Sequence, residues 1–159
     1  MGEIPIFTSK PQTDILIMLY RPVQNTKIKL PIFAGGVAAG FPSPAEDYKE
    51  NKIDLNEELI QHPSSTFMIR AKGDSMIGAG IFDDDLLVVD RSLTPVHGSI
   101  IIAAIYAGFT VKRLQIEQSR YGQQMILAAE NPDYDDTVVD DEEATIWGVV
   151  SHVVRDVRE

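Results

Sequence analysis

The sequence predicts a mostly β protein: a compact β domain with short helices and a flexible N-terminal arm. Three observations carry this. From residue 66 onward, strand-like runs rich in β-branched and aromatic residues follow one another: "TFMIRAK", "LLVVD", "SIIIAAIY", "FTVKRLQ", "QQMILAA" and "TIWGVVSHVVRDV". Short clusters of Gly, Pro and Asp separate them, as antiparallel connections require. The first 39 residues, by contrast, hold too little apolar sequence to bury a core of their own.

The division follows from these contrasts: residues 1–39 as an arm, residues 40–159 as the body. In the arm, "DILIMLY" and "KIKLPIF" are short strand-like runs joined by the turn chemistry of "RPVQNT". They must lie on the body or on a partner. The small residues "AGGVAAG" at 34–40 suit an extended backbone that enters a narrow cleft. In residues 43–62, Ser43 and Glu46 form a capping box with Pro44 at the first helical position. Asp54 with Glu57 marks a second short helix that ends before Pro63. These helices are too short, and lack the basic face, for a helix-turn-helix. In "IYAGFTV", Ala107-Gly108 predicts a tight two-residue hairpin connection. The acidic run "DYDDTVVDDEE" at 133–143 reads as a solvated loop; its spacing matches no calcium loop.

The composition excludes several classes. With no cysteine, neither a disulfide framework nor a thiolate metal site is available, which fits a reducing cytoplasm. No metal or cofactor is expected. No apolar run reaches the ~18 residues that span a bilayer. The start, "MGEIPIFTSKPQTD", lacks a basic leader followed by an apolar stretch, so no secretory signal is expected. The net charge of −10 opposes direct, non-specific binding to nucleic acid. That charge is uneven: the arm carries +2 and the body −12.

The chemistry centres on "AKGDSMIGAGIFDDDLLVVD", where Ser75 stands between Asp74 and Met76 in a Gly-rich loop. A serine hydroxyl needs a base to become a nucleophile. His97, before Gly98 in a turn, offers one route to a Ser-His-Asp set. His62 precedes Pro63, and His152 lies on an alternating strand. Nothing specifies a triad, and surface histidines are the plainer reading of all three. Lys112 offers the other route. Strand alternation sets Thr110, Lys112 and Leu114 on one face and Phe109, Val111 and Arg113 on the other. If the Leu114 face is buried, Lys112 loses water, its pKa falls and its neutral amine can take the Ser75 proton. A solvated lysine beside Arg113 is the alternative, and periodicity does not choose between them.

The motifs do. G-D-S-M followed by D-x-L-L-V-V-D, then F-T-V-K-R-L with Lys112 37 residues beyond Ser75, resembles the UmuD-like SOS mutagenesis proteins. These share their pattern with LexA-type repressors. "FPSPAEDY" after an Ala-Gly pair and "IWGVVSHVV" near the end extend the resemblance from about Gly40 to Arg155. It implies a LexA-like peptidase β domain with a Ser–Lys dyad that cuts its own chain. By position, Ser75 is then the nucleophile, Lys112 the general base and Ala39–Gly40 the scissile bond. The Gly-rich loop can present backbone oxyanion donors, the amide of Ser75 first and that of Met76 second, while Asp74 can help fix the loop and is assigned no catalytic role. Small residues at the cut let the backbone approach the serine. Two features depart from the best-known UmuD: Ala39 replaces a cysteine, as in LexA-type repressors, and the arm is longer.

The resemblance further implies a homodimer, a UmuC-type Y-family DNA polymerase partner and stimulation by the RecA–single-stranded DNA filament. The chain would be a cytoplasmic accessory subunit of error-prone translesion synthesis, without sequence-specific DNA binding of its own. The alternatives are a LexA-type repressor, for which residues 1–39 are short, and a signal-peptidase-like enzyme, which needs a membrane anchor.

Overall fold

The computed structural model describes Lys27 and residues 29–33, 50–105, 108–120, 122–140 and 143–158. Two antiparallel sheets are present among them. The smaller pairs β1 (Lys29–Phe33) with β2 (Glu50–Asp54), with Lys29 opposite Asp54 and Phe33 opposite Glu50. A single helical turn, α1 (Leu55–Leu59), follows. The larger sheet holds β3 (Thr66–Arg70), β4 (Leu86–Asp90), β5 (Ile100–Ile105), β6 (Gly108–Ser119), β7 (Gly122–Ala128), β8 (Thr137–Val139) and β9 (Ala144–Val154). Its spatial order is β3-β4-β9-β5-β6-β7-β8. The chain's last strand therefore sits in the middle, between β4 and β5.

β4 and β5 are buried on both faces, which is why they read as unbroken apolar runs rather than as alternation. In β5, Ile102 packs with Ile69, Leu87 and Val89 on one side. Its neighbours Ile101 and Ala103 pack with Leu114, Leu127 and Val139 on the other. The register of β9 slips by one residue against β4 between Val88 and Val89, and against β5 between Ile102 and Ala103. Such bulges bend a strand and increase local twist, so the sheet curls. Trp147, at the second bulge, packs tilted against Phe67 at 5.2 Å and edge-on to Phe109 at 6.0 Å. The Arg91 guanidinium covers its face at 4.9 Å.

Gly148 makes this crossing possible. A Cβ there would lie 2.7 Å from Val89 Cγ1 and 3.3 Å from Arg91 Cγ. Val89 is fully buried and has no room to yield. Gly148→Ala is expected to cost about 1–3 kcal/mol. Urea unfolding would show this as a lower midpoint at unchanged slope; an unchanged midpoint would contradict it.

Several expectations shift. The capping box at Ser43 and the run "DILIMLY" lie outside the described residues. The second helix is present: Asp54 caps α1, its carboxylate accepting from the Asn56 amide at 2.9 Å. Residues 50–54, however, form a strand rather than part of a helical stretch. Pairing with β1, which sets Leu30 opposite Ile53, overrides the weak local helix signals. The hairpin between β5 and β6 is displaced by one residue. Ile105 pairs with Gly108, so Gly108 belongs to β6 rather than to the connection. The acidic run is not wholly a loop. Its β-branched centre, Thr137–Val139, forms β8 on the sheet edge beside β7, and Val139 is buried.

Candidate active site

Ser75 lies in the connection between β3 and β4. Gly73 and Gly80 adopt left-handed backbone, at φ +84° and +77°, so the chain turns sharply on either side of the serine. A short 3-10 turn, Ile77–Ala79, follows, and Met76, the residue before it, is buried. The loop is pinned at several points. The Gly73 amide donates to Asp83 Oδ1 at 2.6 Å. Ala71 exchanges backbone bonds with Asp84 and Asp85 at 3.0 and 2.8 Å. The buried Asp85 carboxylate accepts both from the Phe82 amide at 2.7 Å and from the Arg155 guanidinium. Arg155 also donates to the Gly80 carbonyl at 2.6 Å and covers the Phe82 ring at 4.1 Å. Its hydrogen bonds hold the Asp85 carboxyl below the usual range against the opposing effect of burial.

A second segment clasps the loop from the other side. The Ser75 carbonyl accepts from the Glu130 amide at 2.9 Å, and the Gly78 amide donates to the Glu130 carbonyl at 2.7 Å. Gly78 is required here, because a Cβ would come within 2.5 Å of that carbonyl oxygen. Asn131 Nδ2 donates to the Asp74 carbonyl at 3.1 Å. The Tyr134 hydroxyl donates to Asp74 Oδ1, which pushes the Tyr134 pKa up.

Lys112 reaches this loop from β6. Its Nζ lies 2.9 Å from Ser75 Oγ and 3.1 Å from the Val111 carbonyl. Lys112 pairs in register with Ile101, and the same face carries Leu114, which is 1% exposed. Of the two readings of the lysine, the structure therefore favours the buried one. Lys112 is half-buried, burial lowers its pKa, and no carboxylate pairs with it among the described residues. Its neighbour Arg113, on the opposite face, pairs instead with Glu130 and donates to the Gly98 carbonyl at 2.7 Å.

The histidines are occupied elsewhere, and none contacts Ser75 among the described residues. His97 Nδ1 accepts from the Ile116 amide at 3.0 Å. His62 lies 2.6 Å from Asp90, and His152 lies 3.1 Å from Ser151 Oγ. Ala39 and Gly40 fall outside the described residues. Among the described residues no cluster of His, Asp and Glu could hold a metal ion, and no helix is long and apolar enough to cross a membrane. Glu130, Asn131, Tyr134 and Arg155 carry no periodic or motif signature; the Asn-Pro pair after β7 is a turn signal and nothing more.

A serine hydroxyl against a half-buried lysine amine is an arrangement for nucleophilic attack on a carbonyl. The family model described as Peptidase S24-like matches residues 31–151. The chain belongs to the peptidase S24-like family. ImpA of Salmonella typhimurium is 45% identical to it over 129 residues, covering 81% of this chain and 86% of ImpA. MucA of Escherichia coli is 42% identical over 125 residues, 77% of this chain and 82% of MucA. The LexA repressor of Dechloromonas aromatica is 37% identical over 131 residues, 81% of this chain and 62% of the repressor. These likenesses bear out the UmuD-like reading, and with it an accessory role in SOS mutagenesis; the likeness to LexA is more distant. In general terms, membership makes the chain a serine peptidase.

Proposed function

We propose that this member of the S24-like family cuts its own chain between Ala39 and Gly40, with Ser75 as nucleophile and Lys112 as general base. The observation that carries the reading is the 2.9 Å approach of Lys112 Nζ to Ser75 Oγ within a half-buried site. Neutral Lys112 takes the Ser75 proton as Oγ attacks the Ala39 carbonyl carbon. The tetrahedral oxyanion is met by the amides of Ser75 and Met76, neither of which has another acceptor among the described residues. Collapse breaks the bond to the Gly40 nitrogen, which leaves as an amine with the proton returned by Lys112. A water molecule, deprotonated by the same lysine, then hydrolyses the Ala39 ester and frees Ser75.

The UmuD-like kinship supports the partners proposed with it: a homodimer, a UmuC-type Y-family polymerase subunit, and the RecA–single-stranded DNA filament as activator. The filament acts by stabilising the conformer in which residues 39–40 fill the cleft. The acidic body favours DNA contact through those partners rather than directly. The site of action is the cytoplasm.

The test is the product itself. Incubation with RecA, a nucleoside triphosphate and single-stranded DNA is expected to yield a fragment whose N-terminal residue is Gly40. A fragment beginning elsewhere would displace the assigned bond, and a chain that stays whole would remove the self-cleavage reading.

A further inference from the structure

The two peptide units that flank Ser75 are each held by one of two consecutive residues. A trans peptide is planar, so its carbonyl oxygen and N–H point in opposite directions, and fixing one aims the other. Glu130 N–H holds the Ser75 carbonyl at 2.9 Å and thereby sets the direction of the Met76 N–H. Asn131 Nδ2 holds the Asp74 carbonyl at 3.1 Å, with a longer bond of 3.3 Å from the Ile77 amide beside it, and thereby helps set the direction of the Ser75 N–H. Asn131 is itself fixed. It is 6% exposed, its Oδ1 accepts from the Asp133 amide at 3.1 Å, and its carbonyl accepts from the Tyr134 amide at 3.1 Å. Glu130 is tied back to the strand of the base through Arg113.

The geometry points to Asn131 as a positioning residue that aims the Ser75 amide at the developing oxyanion. This rests on the Ser75–Lys112 reading of the site and deepens it. Asn131 touches neither the serine hydroxyl nor the lysine; it acts through the Asp74–Ser75 peptide. Its hydrogen bond also polarises that peptide, which strengthens the N–H as a donor. Tyr134 grips only the Asp74 carboxylate, which lies outside the peptide unit, and so has a smaller part.

Asn131→Asp is the discriminating change. It keeps the shape and the acceptor for the Asp133 amide but removes the donor and sets a carboxylate against the Asp74 carbonyl. Self-cleavage of the full chain is expected to slow about 10- to 100-fold, less than the 10²–10³ for deleting an oxyanion donor outright. The loss should appear in the high-pH plateau, while the added carboxylate moves the pH midpoint up rather than down, because a nearby negative charge favours the Lys112 ammonium. Tyr134→Phe should cost less than about 3-fold, since the peptide plane is still held. The Ser75 amide nitrogen resonance provides a readout that a purely structural role would not move. It should shift in Asn131→Asp at about pH 6, where the protonated base leaves the chain whole. If Asn131→Asp does not fold, Asn131→Ser, smaller and uncharged, takes its place.

A plateau at the parental level, an unmoved Ser75 resonance or a larger loss in Tyr134→Phe would each overturn the assignment. Lys112→Ala keeps the two readings apart. If it cuts at the parental rate while Asn131→Asp is slow, the lysine base is wrong and the role of Asn131 stands.

Discussion

Replacing Ser75 or Lys112 by alanine is expected to reduce self-cleavage by at least about 10³-fold, with the double replacement no worse than either single one. The two groups act as a unit: a serine without its base and a base without its serine are equally idle. The result is read as loss of the fragment over a time course with the RecA filament present, on chains whose unfolding midpoints show intact folds. Parental cleavage by Lys112→Ala would assign the base elsewhere. Lys112→Met gives a second, opposite readout. Burial lowers the Lys112 pKa below its ordinary 10.5. Between the lowered value and 10.5 the folded chain binds fewer protons than the unfolded one, so stability rises with pH across that window. At neutral pH the charged lysine therefore counts against the fold. Lys112→Met should lose cleavage while its unfolding midpoint holds or rises, because a half-buried charge gives way to an apolar chain of similar length. A clear fall in that midpoint would show that the lysine stabilises the fold.

The rate of cleavage without any activator is expected to climb about tenfold per pH unit below the Lys112 pKa and to level off above it. The slope follows from the chemistry: only the neutral amine accepts the serine proton, and its fraction grows tenfold per unit on that limb. The midpoint should lie below 10.5, because burial disfavours the ammonium. Seating residues 39–40 against Lys112 would remove more water from it, so the filament should move the rising limb to lower pH. The measurement is a pair of pH–rate profiles, with and without the filament. A flat profile, or a rate that falls with pH in a folded chain, would exclude a lysine base.

The parts of this site that were legible in the sequence are those with local signatures. β3 to β7 and β9 announce themselves through β-branched runs, and Ser75 and Lys112 through motifs that each fit in a few residues. What stayed hidden depends on distant partners. β2 is a strand because β1 lies beside it. β8 is three β-branched residues inside a run whose acidic composition masks them. The groups that shape the nucleophile loop reach across the chain: Asn131 is 57 residues from Asp74, Tyr134 60 residues from it, and Arg155 70 residues from Asp85. No periodicity connects such pairs. A buried asparagine and a surface asparagine after a strand look alike until the fold brings a carbonyl to one of them.

The pairing of β1 with β2 bears on what cleavage leaves behind. The proposed cut falls in the connection between these strands, and the register from Lys29–Asp54 to Phe33–Glu50 lies wholly outside it. Severing the connection turns a hairpin into a complex of two chains held by main-chain hydrogen bonds. Before the cut, the tether supplies β1 to β2 at an effective concentration in the millimolar range. Afterwards the fragment must be retained by its affinity alone, and dilution becomes the variable that releases it. Once it leaves, β2 presents an unpaired row of amides and carbonyls, a template for another strand. Peptide-bond hydrolysis would thus act as a timer, with the lifetime of a five-residue strand pairing setting the delay between the chemistry and the uncovering of a new edge.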